Sequence, residues 1–275
     1  MTVSEIRIVV AQIDIESLAP AENLETVQRT LDEAARHDPD LVVFPELVNL
    51  GQVPERDREF GERFLDLAER IPGPFCSAVA ESAKEVGCCV AFGMAELHPT
   101  IPGTVFNSAV VLDADGNVAG VQRKLHPAGE ERHYFAAGDS IEVIPTDLGL
   151  LGVGICYDLY FPEVPRTAAL RGSEMLVGIF NVTLRSDWPD RLAQLAAVRC
   201  YENMQPVVFV NRVGENHGRT FGGESAVAAP PGKVVLRAPV GEPAVLCADL
   251  SPETLQRERS YRPVFADRRP ELYDA

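Results

Sequence analysis

Apolar residues along the chain follow two spacings, one typical of buried strands and one typical of helices. The opening segment 6–13 is β-branched and apolar, which predicts a strand. Residues 21–36 then carry leucine, valine and alanine at helical spacing, and Pro39 breaks that pattern. The segment LVVFPE at 41–46 predicts a buried strand that ends at a proline. Strand, helix and strand in this order predict a layered α/β fold.

The same alternation continues along the rest of the chain. Further helices are predicted at 59–70, 75–86, 162–172 and 189–204. Further strands are predicted at 88–97, 107–124, 150–158, 175–181, 205–212, 224–238 and 244–249, with hairpin turns at 115–117 and at Pro231-Gly232. Ser251-Pro252-Glu253 has the form of a helix start. We expect one domain over 1–275 with a C-terminal tail from about 261, because no linker or repeat interrupts the pattern.

Composition and charge narrow the possible partners. The chain is 46% hydrophobic and 24% charged, which is ordinary for a globular protein. Its net charge of −16 disfavours binding to nucleic acid and to anionic membranes. The six cysteines include no CxxC pair and no zinc-type spacing. Since the first residues also lack the features of a signal peptide and no apolar run is long enough to span a membrane, we expect a cytoplasmic protein with reduced thiols.

Three residues with reactive side chains follow predicted strands directly. Glu46 ends LVVFPE, Lys124 ends the strand that includes Arg123, and Cys156 ends LLGVGIC. Each one alone is more often a core thiol or a solvated charge than a catalytic group. In α/β sheets, however, sites gather beyond the carboxyl ends of strands. A thiol nucleophile, a carboxylate that takes its proton and an ammonium that stabilises an oxyanion form a coherent set there.

The order of these residues and their surroundings resemble the nitrilase superfamily of carbon–nitrogen hydrolases, in its amidase and carbamoylase-like branch. The resemblance covers about 5–250 and is carried by FPEL (44–47), QRKLHP (122–127), GICYDLYFPE (154–163), AVRCYEN (197–203), VNR (210–212) and GGES (222–225). It implies a four-layer α-β-β-α sandwich. It also implies a homodimer or higher homo-oligomer, for which the apolar-rich helix at 189–204 is a candidate surface.

The resemblance implies a mechanism with no metal or organic cofactor. Glu46 takes the proton of Cys156, and the thiolate attacks the carbon of a small-molecule amide or carbamoyl substrate. Lys124 and the backbone N–H of Tyr157 bind the oxyanion. Ammonia or an amine leaves, and water then hydrolyses the thioester.

The resemblance also implies a second glutamate and several substrate contacts. Family members carry this glutamate shortly before a Tyr-Phe pair, which is Tyr134-Phe135 here. Glu131 lies three residues before the pair and is chosen over Glu130 to hold Lys124 and orient the substrate. The residues expected to line the substrate pocket are Tyr157, Tyr160, Asn181 and Val182.

Other functions stay open on the sequence alone. The same site is compatible with nitrile hydrolysis. A Cys–His hydrolase would instead use His126, His133 or His217 as its base. A binding subunit of the same fold without activity is disfavoured, because every expected catalytic residue type is present.

Position 160 bears on the charge of the substrate. Family members that hydrolyse amides of carboxylate-bearing compounds often have arginine four residues after the cysteine, where this chain has Tyr160. An arginine suits that task because its planar fork pairs with both oxygens of a carboxylate. The tyrosine therefore predicts a preference for neutral or cationic substrates, with Arg185 as an alternative source of positive charge.

Overall fold

The computed structural model describes residues 5–273, which form two large sheets and a small ribbon. The strands are β1 (Ile6–Gln12), β2 (Leu41–Val43), β3 (Cys89–Leu97), β4 (Val105–Leu112), β5 (Val118–Arg123), β6 (Val143–Thr146), β7 (Gly149–Ile155), β8 (Met175–Phe180), β9 (Val207–Asn211), β10 (Val213–Asn216), β11 (Arg219–Gly222), β12 (Ala226–Ala229), β13 (Lys233–Arg237) and β14 (Ala244–Leu250). The helices are α1 (Pro20–Ala34), α2 (Arg58–Leu67), α3 (Pro74–Val86), α4 (Glu163–Leu170), α5 (Arg191–Asn203) and α6 (Pro252–Tyr261).

The two sheets have six strands each and similar pairing. The first has the order β14-β1-β2-β3-β4-β5, and the second has the order β13-β12-β9-β8-β7-β6. Each contains three neighbouring parallel strands, β1, β2 and β3 in the first and β7, β8 and β9 in the second. The remaining pairs are antiparallel, and the ribbon joins β10 to β11. Parallel strands place their carboxyl ends at one edge, which is where a site can form.

The alternation of side chains along each strand produces the layers. In β1, Ile8 and Val10 belong to the core between the two sheets, whereas Val9 and Ala11 belong to the core beneath α1 and α3. Successive residues of a strand point to opposite faces, so an apolar strand has both faces buried. On the far side, α4 and α5 pack against the second sheet. The predicted four-layer α-β-β-α sandwich is confirmed.

Most predicted elements are present, but several strands are shorter than predicted. The segment 41–46 is a strand only over Leu41–Val43, and 150–158 is a strand only to Ile155. The second strand ends directly before Cys156, and the first ends three residues before Glu46. The prediction missed β6, in which Pro145 disfavours a strand, yet β6 lies at the edge of its sheet, where proline is tolerated. It also missed the short ribbon of β10 and β11, whose pattern is largely polar.

The C-terminal segment begins as the sequence predicts. The Ser251 hydroxyl accepts a hydrogen bond from the backbone N–H of Thr254, 3.4 Å away, and caps α6. From α6, Arg259 donates to the carbonyl of Met204 at 2.9 Å, which holds the helix against the end of α5. Beyond α6 the described chain has only a short 3₁₀ turn at 270–272. Across residues 5–273, no helix is long and apolar enough to cross a membrane.

Candidate active site

The reactive residues predicted from the sequence lie where strands of the two sheets end. Glu46 follows β2, Lys124 follows β5 directly, and Cys156 follows β7 directly. Asn181 directly follows β8, the parallel neighbour of β7. The backbone N–H of Glu46 lies 3.4 Å from the carbonyl oxygen of Phe180, so the first sheet meets the second at this edge.

Two carboxylates enclose the ammonium of Lys124. Its Nζ lies 2.6 Å from Oε1 of Glu46 and 2.7 Å from Oε2 of Glu131, and the side chains of Lys124 and Glu46 are fully buried. Asn107 on β4 donates to the same Oε1 of Glu46 at 2.7 Å. The backbone N–H of Ala128 donates to Glu131 Oε2 at 2.8 Å. The structure therefore brings together three of the four predicted catalytic residues through direct contacts, with Glu131 rather than Glu130 against the lysine.

Burial and charge act in opposite directions on Glu46. Burial, and secondarily the charge of Glu131, raise the pKa of Glu46 to about 7, although Lys124 and the Asn107 hydrogen bond lower it. Glu46 Oε2 is buried and has no hydrogen-bond partner among the described residues. A buried carboxylate with one free oxygen and a pKa near neutrality suits a proton acceptor.

Lys124 keeps its positive charge despite its burial. Burial alone lowers the pKa of Lys124, but the carboxylates of Glu46 and Glu131 outweigh it and raise that pKa well above the ordinary value. A buried charge is tolerated when it is paired in this way. The site therefore contains a fixed ammonium, which is suited to stabilising negative charge that develops on a substrate oxygen.

Cys156 sits at a sharp change of backbone direction. Its φ is +50°, in the left-handed region, and it begins the 3₁₀ turn Cys156–Tyr160, called here the Cys156 turn. Non-glycine residues in this region store strain and cluster at functional sites. Burial, followed by the charge of Glu46, raises the pKa of the Cys156 thiol; Lys124 and a hydrogen bond from the backbone N–H of Asn181 oppose this. The thiol therefore stays protonated until a base takes its proton.

Asp158 lies within the GICYDLYFPE motif and links the segment of Lys124 to that of Cys156, a role that the motif alone does not predict. Its buried carboxylate accepts from the backbone N–H groups of Leu125 at 3.3 Å and His126 at 2.9 Å, directly after Lys124. It also accepts from the N–H of Ile155 at 3.3 Å, directly before Cys156. Asn107 was likewise missed, although a polar residue inside an apolar strand was a signal that could have identified it.

The residues predicted to line the substrate pocket surround the Cys156 turn and the end of β8. Tyr157 and Tyr160 are partly buried, and their rings meet edge to face at 5.8 Å. Asn181 is buried, and its Nδ2 donates to Gln52 Oε1 at 3.2 Å. The N–H of Val182 donates to Oδ1 of Asn211 at 3.0 Å, which fixes the chain after β8.

The three histidines considered as bases have other partners. His126 Nδ1 lies 2.8 Å from Oδ1 of Asp158, and its ring stacks on Phe161 at 4.0 Å. His133 lies 3.7 Å from the carboxylate of Glu130. His217 contacts Ser17 and the carbonyl of Gln52, at 3.1 and 3.0 Å. None of these contacts involves Lys124, Glu46 or Cys156.

A four-layer sandwich with a buried thiol and ammonium at strand ends and two carboxylates around the ammonium is the scaffold and side-chain set of an acyl-transfer hydrolase. The family model of the carbon-nitrogen hydrolases matches residues 7–260, and the chain belongs to that family. It is 31% identical to a Schizosaccharomyces pombe protein named "Probable nitrilase", over 91% of each chain. It is 30% identical to N-carbamoylputrescine amidase of Solanum lycopersicum, over 91% of this chain and 88% of that one.

Solved structures agree with the sequence comparisons. The crystal structure of a carbon-nitrogen hydrolase from Helicobacter pylori G27 superposes with a TM-score of 0.87 at 26% identity, covering 98% of this chain and 97% of that chain. The predicted relationship to the nitrilase superfamily is thus confirmed. The protein is an enzyme that hydrolyses carbon–nitrogen bonds.

Proposed function

We propose that this enzyme cleaves an amide or N-carbamoyl group through a thioester formed on Cys156. The observation that carries the proposal is the buried Lys124, held between Glu46 and Glu131 while Oε2 of Glu46 stays free of hydrogen-bond partners in the described chain. The cation is thereby fixed, and the carboxylate keeps one oxygen available for a proton. The name of the Solanum lycopersicum relative supports including N-carbamoyl amines among the substrates.

The first half of the reaction forms the thioester. Glu46 accepts the proton of the Cys156 thiol as the sulfur attacks the carbonyl carbon, and the carbonyl electron pair moves onto oxygen. Lys124 and the backbone N–H of Tyr157 stabilise that oxyanion. When the oxyanion collapses, the C–N bond breaks, and Glu46 returns its proton to the leaving nitrogen as ammonia or an amine departs.

The second half restores the enzyme. Glu46 takes a proton from water, the resulting hydroxide attacks the thioester, and the same two donors stabilise the second oxyanion. The C–S bond then breaks, the thiolate regains the proton from Glu46, and the acid or carbamate product leaves. Glu131 keeps Lys124 in position through both halves, which its 2.7 Å contact supports.

Replacing the cysteine tests the proposal. We expect Cys156→Ala to abolish ammonia release over a screen of simple amides, ω-amides, N-carbamoyl amines and nitriles, with the thermal unfolding of the protein little changed. Cys247→Ala, at a partly exposed position on β14, is the matched control and should retain wild-type turnover. Ammonia release by Cys156→Ala on a substrate of the wild-type enzyme would exclude the thioester route.

We also propose that the enzyme is a cytoplasmic homodimer. All six cysteines are free, which suits a reducing compartment. Val198 and Tyr201 lie one turn apart on α5, and each is 53% exposed. Apolar residues that share an exposed helix face are typical of an interface.

A further inference from the structure

A buried arginine lies at the start of α5, outside the catalytic cluster. Arg191 is 8% exposed, and its Nη2 donates to the carbonyl of Thr183 at 2.9 Å. Thr183 comes two residues after Asn181, in the segment that follows β8. The guanidinium is therefore fixed beside the segment whose first residue donates a backbone hydrogen bond to Cys156.

The helix that carries Arg191 packs against the Cys156 turn. Arg199, two turns further along α5, donates from Nε to the carbonyl of Leu159 at 3.0 Å and from Nη2 to that of Tyr160 at 3.1 Å. Residues eight apart are about 12 Å apart along a helix axis but point to the same side of the helix, so Arg191 and Arg199 both face the second sheet and the Cys156 turn. Burial, followed by the charge of Cys156, raises the pKa of Tyr160, while the charge of Arg191 lowers it. Tyr160 therefore lies within electrostatic reach of both the thiol and the guanidinium.

The charge of Arg191 lacks the partners that other buried arginines have. Arg212 pairs with Asp14 at 2.7 Å and also donates to Asn216 and to backbone carbonyls. Arg199 pairs with Glu202 at 2.8 Å. Arg191 forms no ion pair within residues 5–273, and its buried Nε has no hydrogen-bond partner there.

Two acidic residues near the start of α5 have other partners: Glu224 accepts from the backbone N–H of Asp190 at 2.9 Å, and Asp187 pairs with Arg185. Arg185, and to a smaller extent Arg191, lower the pKa of Asp187. Asp187 is exposed, however, and accepts two hydrogen bonds from Arg185, at 2.8 and 2.7 Å. A desolvated charge without a counterion is unfavourable unless a ligand supplies one. Arg185 itself is exposed and bound to Asp187, so it is poorly suited to supplying positive charge to the site.

We propose that Arg191 binds a carboxylate of the substrate, on the side of the pocket away from the scissile C–N bond. The proposal rests on the proposed function and specifies its substrate class: amides or N-carbamoyl compounds that also carry a free carboxylate. A guanidinium with unpaired N–H groups matches that anion in charge and geometry. The preference is opposite to the one that Tyr160 predicts from the sequence, because the positive charge comes from α5 rather than from the Cys156 turn.

Two matched amides test the proposal: glutaramate, which ends in a carboxylate, and pentanamide, its uncharged analogue of the same chain length. We expect wild-type enzyme to have the higher kcat/KM for glutaramate. Arg191→Gln should lower that value about 10- to 100-fold, as expected for loss of a hydrogen bond to a charged group, and change the value for pentanamide less than about threefold. The kcat/KM of Arg191→Lys for glutaramate should fall between those of the wild-type enzyme and Arg191→Gln. Arg58→Gln, at an exposed position on α2, is the matched control and should leave the ratio of the two kcat/KM values unchanged.

A binding measurement keeps the test independent of turnover and of the thioester mechanism. Calorimetry with the Cys156→Ala protein should show tighter binding of glutaramate than of pentanamide, and adding Arg191→Gln should remove the difference. Equal binding of the two amides, or a wild-type preference for pentanamide, would overturn the proposal without any Arg191 variant. Retained ammonia release by Cys156→Ala would instead refute the proposed function and leave the binding result to stand alone.

Discussion

At the scale of single residues, the balance of forces on Glu46 sets how the site works. Its carboxylate contacts Lys124 and Asn107 through Oε1, while burial and the nearby Glu131 favour its protonated form. The result is a pKa of about 7 instead of 4.5, so the group can both accept and return a proton near neutral pH. Lys124 and Asn107 lower that pKa, whereas burial and Glu131 raise it, and each of these three residues can be replaced by one substitution.

The first prediction is a pH dependence that follows from this shift. Glu46 must be deprotonated to accept the thiol proton, and its pKa is raised to about 7, so kcat/KM should fall as pH drops through about 7. An unperturbed glutamate would keep full activity down to about pH 5. Steady-state kinetics over this range measure the effect. Glu46→Gln should remove most of the activity, and the activity that remains should no longer fall as pH drops through about 7.

Asn107 tests whether Glu46 causes the fall of kcat/KM at low pH, called here the acid limb. Asn107→Leu removes a hydrogen bond to the ionised carboxylate, so the acid limb should move upward by about one pH unit. Ser108→Ala is the matched variant, because its hydroxyl donates to Glu96 instead, at 2.5 Å. If kcat/KM of Asn107→Leu fell at the same pH as that of the wild type, Glu46 would not be the group that titrates.

The sequence predicted the members of the site better than their supports. Lys124 and Cys156 directly follow strands, Glu46 comes three residues after one, and all three stand within motifs, so their selection as candidates needed no knowledge of tertiary contacts. Asn107 and Arg191 could not be assigned in this way. Asn107 acts through a contact with Glu46, 61 residues away in the sequence, and Arg191 is notable for lacking a counterion among the described residues. Neither feature produces a pattern in the neighbouring sequence.

At the scale of elements, the position of Glu46 depends on how closely the chain after β2 approaches β3. A Cβ on Gly93 of β3 would lie 2.6 Å from both Cα of Glu46 and the backbone nitrogen of Leu47. The chain after β2 can therefore cross β3 only because position 93 has no side chain. Likewise Gly154 makes room for Leu159, which folds the Cys156 turn back onto β7.

The second prediction is that Gly93→Ala destabilises the protein and displaces Glu46. Overpacking at this backbone contact should cost about 1–3 kcal/mol in urea denaturation and lower kcat. Gly61→Ala is the matched variant, since a Cβ there would meet only Tyr134 at 3.6 Å, inside α2. It should stabilise by about 0.5–1 kcal/mol. Equal effects of the two changes would contradict the close-approach argument.

The third prediction concerns Asp158 as a positioning residue. Asp158→Asn replaces a carboxylate that accepts from both sides of the site, and it should lower stability by about 1.5–3 kcal/mol. Because the change loosens Lys124 relative to Cys156, kcat should fall more than KM rises. Asp32→Asn, at an exposed position on α1, serves as control. If Asp158→Asn altered stability alone, its carboxylate would be structural only.

Element boundaries were the least predictable part of the fold for a physical reason. After β2 the chain turns so that the backbone N–H of Glu46 lies 3.4 Å from the carbonyl of Phe180 in the other sheet, and hydrophobicity does not record that change. In 150–158 the apolar pattern ends at Cys156, but the break comes from the left-handed backbone of that residue. Hairpins at 115–117 and at 231–232 were predictable because glycine at positive φ is required there.

At the scale of the whole molecule, the site depends on both sheets. Lys124 and Glu46 come from the first sheet and Cys156 from the second, so the core between the sheets must keep its spacing for the ammonium and thiol to stay aligned. The layered fold was predictable because its strands are apolar on both faces. That the chain forms one domain stays a prediction.

The last prediction is that α5 forms the contact between two copies of the chain. Val198 and Tyr201 are each 53% exposed on one face of α5, and Arg262 of the C-terminal segment lies over the Tyr201 ring at 5.3 Å. Sedimentation should give a mass near twice 29.9 kDa for wild type. Val198→Asp should shift the protein toward the monomer, since a desolvated charge opposes burial of the face. Ile101→Asp, at an equally exposed position on the loop between β3 and β4, should leave the dimer intact. A wild-type monomer, or a dimer indifferent to Val198→Asp, would exclude this face as the interface.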